Sequence, residues 1–381
     1  MENKKYNIQT KLVHAGSAEN KSMSNAVTGA IQLSTTFERN EDGVNGSFIY
    51  SRADNPNRKE LENKIAAIEN AAEVISFASG MAAINALLEN ILQPNSHIII
   101  PDDCYHGTKA LIQTFFTKWQ VEYSLVDTSN TQNIEAAIQT NTKLIWVETP
   151  SNPQLKITDI EAVSKISKAK NITLVCDNTF ATCLIQNPFA HGADFVMHSS
   201  TKFIGGHSDV LSGIVVAKNK TAISDAIRLY QKTAGAVPSP FDCWLLNRSL
   251  ASFAMRVKQQ NENAMKIALW LEKNSAIEKV YYPGLASHTN HAIAAKQMCS
   301  GFGSIISVLI KGDEKTALKL ASNFKLIKHA TSLGGVESLV EHRRSVEGDN
   351  PISPENLLRF SIGIEFVEDL INDIENGIAT L

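Results

Sequence analysis

An α/β fold with a mainly parallel sheet, followed by a smaller α+β C-terminal part, is what this sequence predicts. Three observations carry the expectation. Short apolar runs recur between Val74 and Ala217 with amphipathic stretches between them. Glycine-containing turns close several of those runs. Beyond about residue 245 the alternation gives way to one long helical stretch and then mixed elements.

The elements follow in chain order. Residues 1–57 show little sustained periodicity and are punctuated by Gly43, Gly46 and Pro56, which reads as an arm. Leu61, Ile65 and Ile68 then fall at helical spacing, Val74–Ala78 is a short apolar run, and Ser79-Gly80-Met81 opens a helix over Ala82–Asn90. Further strands are expected at His97–Ile100, Val121–Val126, Lys143–Val147, Thr173–Cys176, Phe195–Met197 and Gly213–Ala217. A helix over Phe241–Lys273 leads away from that sheet, and Ser304–Ile310 and Leu357–Ile362 are strands of the last part. The expected division is an arm over 1–57, a large domain over 58–245 and an α+β domain over 246–381.

Composition narrows the function classes. At 381 residues the chain exceeds a comfortable single core. Its 36 lysines and arginines against 39 acidic residues give a charge of −3, which argues against nucleic acid or an anionic membrane as partner. Met1–Lys11 is polar, and no stretch approaches the ~18 apolar residues of a membrane span, so a cytoplasmic location is expected. Five scattered cysteines, never spaced as CxxC, argue against a disulfide framework or a zinc site. His198, His207, His288 and His291 form no metal-ligating pattern, and neither GxGxxG nor GxxxxGK[ST] occurs, so no metal or nucleotide is expected.

The strongest local feature is His198-Ser199-Ser200-Thr201-Lys202, directly after an expected strand. A lysine at a sheet edge loses basicity on burial, which frees its amine for a Schiff base, and the neighbouring hydroxyls can donate to a phosphate. A surface lysine is the plainer reading. Asp177 ends another strand, where it suits the pyridine nitrogen of pyridoxal 5′-phosphate (PLP) or, equally, a helix N-cap. Ser79-Gly80-Met81 could bind an anion at a helix start, and Tyr105 could stack on a pyridine ring or simply pack.

Ordered motifs extend this set along nearly the whole chain. They are Ser34-Thr35-Thr36-Phe37, Tyr50-Ser51-Arg52 with Asn55-Pro56, Phe77 to Met81, Glu148-Thr149-Pro150 with Asn152-Pro153, and Asp177-Asn178-Thr179. Ser199 to Lys202, Gly206 to Asp209, Gly235 to Pro240, Ser332 to Leu339, and Arg359 with Gly363-Ile364-Glu365 complete them. With them the sequence resembles the Cys/Met-metabolism, or transsulfuration, family of PLP enzymes, which includes cystathionine γ-lyase and cystathionine γ-synthase.

The resemblance implies fold type I, the aspartate aminotransferase-like fold, and assigns roles. Lys202 would carry PLP and move protons, Asp177 would partner the pyridine nitrogen, Gly80, Met81, Ser199 and Thr201 would hold the phosphate, and Thr179 would also bind the cofactor. Tyr50 and Arg52 would reach a neighbouring subunit's cofactor, making an obligate dimer within a homotetramer. Tyr105 would stack and assist proton transfer. Arg359 would grip the substrate α-carboxylate, helped by Asn152 and Ser338, and Glu337 would meet the distal amino group of cystathionine or cysteine. Protons leave Cα and then Cβ, and the γ-substituent is expelled.

Within the family, Ser34–Phe37 and Gly235–Pro240 with Asp242-Cys243 look closer to γ-lyases, so the reading is cystathionine γ-lyase, with cystathionine γ-synthase as its alternative. Methionine γ-lyase ranks below because Gly107 stands where those enzymes carry a cysteine. O-acylhomoserine sulfhydrylase ranks below on length; cystathionine β-lyase also ranks below, and a PLP-bound sensor without turnover ranks last. Two segments depart from the family, Ala53 to Asn57 and Glu341-His342-Arg343-Arg344-Ser345. Were Arg343 or Arg344 to face the pocket, an anionic substrate group such as a succinyl or phosphoryl ester would favour the synthase.

Overall fold

The computed structural model describes residues 6–16, 26–44, 46–348 and 351–381. Seven strands share one sheet: β1 (Glu73–Phe77), β2 (His97–Pro101), β3 (Glu122–Val126), β4 (Thr142–Glu148), β5 (Thr173–Asp177), β6 (Phe195–His198) and β7 (Gly213–Ala217). Their spatial order is β1-β7-β6-β5-β4-β2-β3, and only β7 runs antiparallel to its neighbours. Along β4, Leu144 and Trp146 enter one core with Phe77 and Val175. Ile145 and Val147 enter another with Leu174 and Cys176. Burial on both faces explains why these strands read as continuous apolar runs.

A second sheet is built from β8 (Ile277–Tyr281), β9 (Ile305–Ile310), β10 (Lys328–His329), β11 (Leu339–His342) and β12 (Leu357–Ser361), ordered β10-β11-β12-β9-β8. It is antiparallel except for the pair β10 and β11. Sequence patterning found β9 and β12, which are almost wholly buried and mainly apolar, with Arg359 and Ser361 the polar residues of β12. It missed β8, which is half exposed, the two-residue β10, and β11, whose Glu341 and His342 are charged or polar yet buried.

Two helical expectations change. The stretch expected as one helix is two, Pro240–Leu250 and Phe253–Leu271. The Ser252 amide bonds back three residues to the Ser249 carbonyl, and Arg256 Nη2 takes the same carbonyl at 3.1 Å, which breaks the regular four-residue ladder. The arm holds one short helix, α1 (Ile8–His14), capped by the Asn7 side chain. Only Leu12 of α1 is buried, too little to register as periodicity; it packs with Leu61 and Ile65 of α2 (Pro56–Glu69). No described helix is long and apolar enough to cross a membrane.

Candidate active site

Parallel α/β sheets gather functional groups in the loops beyond the carboxyl ends of their strands. Here β2, β4, β5 and β6 end at Pro101, Glu148, Asp177 and His198, and the segments that follow line one cavity of about 220 Å³. Tyr105, Asn152, Asp177, Thr179, Ser199 and Lys202 all reach it from that side. Thr331, Ser332, Arg343 and Arg359 close it from the second sheet.

On the first side, α3 (Gly80–Ile91) starts at the cavity with Ser79 as its N-cap, the side chain accepting from the Ala82 amide at 3.1 Å. A Cβ at position 80 would stand 2.9 Å from Ser199 Oγ, so glycine is what lets the helix start approach Ser199. The Ser199 amide donates to Thr179 Oγ1 at 2.9 Å, and that hydroxyl donates to Asp177 Oδ1 at 2.6 Å. The Thr179 amide reaches the same oxygen at 3.0 Å. Burial raises the Asp177 carboxyl, and the two Thr179 bonds work to lower it. Thr201 lines the cavity, but its hydroxyl is engaged by Ser212, donating to the carbonyl at 3.1 Å and accepting from the amide at 2.9 Å.

Beside Asp177 stands a second carboxyl to which the sequence reading gave no role. Register pairs Glu148 with Asp177, and Glu148 Oε2 accepts from the Tyr105 amide at 2.8 Å. Burial, then the nearby Asp177 charge, pushes Glu148 well above the usual carboxylate range. Its signal was available, since it ends a strand just as Asp177 does. Tyr105 is half-buried, and burial raises its phenol too. A Cβ at Gly107 would lie 2.5 Å from the Tyr105 ring, so the ring occupies the space a side chain there would need.

Lys202 Nζ donates to Ser332 Oγ at 2.9 Å. Burial first, then Arg359, lowers the amine from 10.5 to about 8. Ser332 itself has φ of +112°, a region that side chains rarely adopt, costing roughly 1–3 kcal/mol. Its carbonyl accepts from Arg359 Nη2 at 3.1 Å, so one strained residue meets both cations. Ser332 opens the motif Ser332 to Leu339, which gave it no role of its own, and it lies outside any helix or strand.

Arg359 is buried and donates from Nη1 to Asn152 Oδ1 at 2.9 Å. Glu341 Oε2 lies 2.6 Å from Arg359 Nη2 and 2.7 Å from Arg343 Nη1. Burial works to raise Glu341, but the two guanidiniums outweigh it and hold the carboxyl below its usual value. Burial lowers Arg359 to about 10. Arg343 thus faces the cavity, whereas Arg344 donates from Nη1 to the Ser353 carbonyl at 3.1 Å and does not line it.

Two residues expected at the substrate side of this site, Glu337 and Ser338, do not line it, and two expected at a neighbouring subunit's site, Tyr50 and Arg52, lie outside this chain's cavity. Glu337 is outside the lining set, its carboxylate accepting from Ser208 Oγ. Ser338 is buried against Glu365, its hydroxyl donating to Oε2 at 2.9 Å. Tyr50 and Arg52 are exposed and outside the cavity, with the guanidinium 5.7 Å from the tyrosine ring centroid and bonded to the Lys232 carbonyl. Among the described residues no His, Cys, Asp and Glu group is placed to hold a metal ion.

A half-buried amine of lowered basicity, a buried carboxylate lining the same cavity and a glycine-tight helix start make a donor set that suits PLP. The fold is type I of the PLP-dependent enzymes. A family model described as Cys/Met metabolism PLP-dependent enzyme matches residues 9–379, and the chain belongs to that family. It is 41% identical to cystathionine gamma-synthase of Mycobacterium tuberculosis, over 97% of this chain and 96% of that one. It is 42% identical to cystathionine beta-lyase of Lactococcus lactis subsp. lactis, over 97% and 98%. The crystal structure of cystathionine gamma-lyase from Lactobacillus plantarum complexed with L-serine superposes with a TM-score of 0.92 at 35% identity, over 98% of this chain and 99% of that one.

Proposed function

We propose that this transsulfuration enzyme catalyses γ-replacement on an O-acyl homoserine, joining cysteine to give cystathionine. The observation that carries the reaction class is Ser332, which places a weakly basic amine and a buried guanidinium on the two polar groups of one residue. PLP, when bound, withdraws electrons from the substrate's Cα. Arg359, steadied by Asn152, holds the α-carboxylate and so fixes which Cα bond meets Lys202. Lys202 takes the Cα proton, gives it up and takes one from Cβ; the γ-substituent then leaves as the free acid, the cysteine sulfur bonds to Cγ in its place, and Lys202 returns protons to Cβ and Cα. Tyr105, kept protonated by burial, is the proton donor on the cavity wall.

Replacement rather than elimination is supported by the mycobacterial synthases among the relatives and by Arg343, whose charge faces the cavity. Elimination of cystathionine is the second reading, and the 35% identical Lactobacillus structure favours it. In the proposed assembly, residues 1–57 are an arm whose Tyr50 and Arg52 complete a neighbouring subunit's site in a homotetramer. Their exposure and their place outside this chain's own cavity support that. Residues 58–245 then form the cofactor domain and 246–381 the C-terminal domain, each with its own sheet. Free thiols at all five cysteines suit a cytoplasmic location.

Incubation with an O-acyl homoserine plus cysteine should yield cystathionine, with slow release of 2-oxobutyrate from cystathionine alone. Rapid cleavage of cystathionine with no cystathionine made from the ester would reject replacement.

A further inference from the structure

We propose that Arg256 and Gln260, one turn apart on the helix Phe253–Leu271, are positioning residues that set where Lys202 meets Ser332. The inference rests on the reading above that Lys202 is the reacting amine, and it deepens that reading.

Neither residue lines the cavity. Arg256 donates from Nη1 to the Phe203 carbonyl at 2.8 Å and from Nη2 to the Ile204 carbonyl at 3.3 Å, the two residues that follow Lys202. Its other bonds go to Ser249 and Ser252, where the preceding helix ends. The backbone is shaped for this approach: Gly206 has φ of +67°, and a Cβ there would collide with the guanidinium. The Gly206 amide also donates to the Lys202 carbonyl at 2.7 Å, so Arg256 grips the turn that carries Lys202.

Gln260 lies four residues on, on the same helix face. Its Nε2 donates to the Gly335 carbonyl at 2.6 Å and lies 3.4 Å from the Gly334 carbonyl, two residues past Ser332. The Val336 amide then donates to the Gly206 carbonyl at 3.0 Å, tying that segment back to the Lys202 turn. One helix face therefore holds both partners of the 2.9 Å bond between Lys202 Nζ and Ser332 Oγ.

Charge separates Arg256 from a packing residue. It is 4% exposed, and burial lowers its guanidinium to about 10, so it is cationic at neutral pH. Among the described residues no carboxylate pairs with it, and each acceptor named above is a carbonyl or a hydroxyl. A buried cation is costly, and an apolar side chain of similar length would fill the space without that cost. What only the planar guanidinium supplies is a fixed direction for two consecutive carbonyls beside Lys202.

The test compares the full-length wild-type chain with Arg256→Met, Arg256→Lys and Gln260→Leu, each loaded with PLP, stripped and allowed to recapture it across a pH series. Leu271→Ala, on the same helix but in the C-terminal core, controls for lost stability. The charged and titratable groups around the amine are Arg359, Arg343 and Glu341 from the second sheet and Tyr105, His106, Glu148 and Asp177 on the cavity wall, and all stay in place in every variant. The wild-type midpoint is expected at about 8, and in Arg256→Met and Gln260→Leu it should rise by about one unit, slowing capture at lower pH about tenfold. Arg256→Lys should fall between, and Leu271→Ala should lose stability with its midpoint unmoved. Should Arg256→Met not fold, Gln260→Leu decides. Variants that capture PLP like wild type, or a control whose midpoint rises as theirs does, would overturn the proposal. Borohydride labelling separates it from the reading on which it rests: a wild-type chain unlabelled at Lys202 would sink both, whereas labelled Lys202 with unmoved midpoints would sink the positioning alone.

Discussion

The two walls of the cavity hold their charge in opposite ways. On the side of the parallel sheet, the groups are local in sequence. Asp177 and Thr179 are two residues apart and bonded to each other, and Ser199 and Lys202 lie on one short turn. Carboxyls dominate there, with Glu148 pushed up beside Asp177. On the side of the antiparallel sheet, guanidiniums dominate, and what joins them is register: β11 and β12 pair so that Glu341 stands opposite Arg359. The first wall suits the cofactor of the family, and under the function proposed above the second would meet the substrate. Cofactor chemistry can therefore be written in short motifs, while substrate choice depends on how distant segments are paired.

If that division is right, damage to each wall should have its own signature. The largest effect is expected from Asp177→Asn, which removes the anion from the cofactor side: kcat should fall on the order of 10³-fold, with weakened cofactor binding. Arg359→Leu, on the other wall, should raise KM roughly 10²-fold while the visible absorbance of the bound cofactor persists. Loss of cofactor in that variant as severe as in Asp177→Asn would break the comparison.

Glu341→Gln should show in stability more than in cofactor binding. It leaves two buried guanidiniums without their shared carboxylate, a loss of about 3 kcal/mol that chemical denaturation would register. An unchanged midpoint would mean that Glu341 does not hold the pair together.

The smallest effect is one of pH. Because burial and Arg359 lower the Lys202 amine to about 8, the neutral, condensing form grows as pH rises through that value and levels off above it. Capture of PLP by cofactor-free protein should follow the same curve in stopped-flow absorbance. A rate that keeps climbing toward the 10.5 of an ordinary lysine would show that the amine is not perturbed.

Legibility in the sequence follows the same division. The doubly covered sheet was readable because β2, β4, β5, β6 and β7 are nearly unbroken apolar runs, and the ends of β5 and β6 pointed to Asp177 and Lys202. The half-exposed β8 and the charged β11 lacked such a pattern, and with β11 went the pairing of Glu341 with Arg359. Ser332 was visible only as the first residue of a motif, because its role comes from a backbone conformation that the motif does not spell out. Arg343 was noticed only as a departure from the family, and its burial against Glu341 decides which way it faces.

The most direct test of the account is to reduce the cofactor-loaded protein with borohydride and locate the pyridoxyl group by peptide mass spectrometry. The account predicts a single modified peptide carrying it on Lys202, and no modification in Lys202→Ala. A pyridoxyl group on any other lysine of the wild-type chain, or equal labelling of the variant, would contradict it.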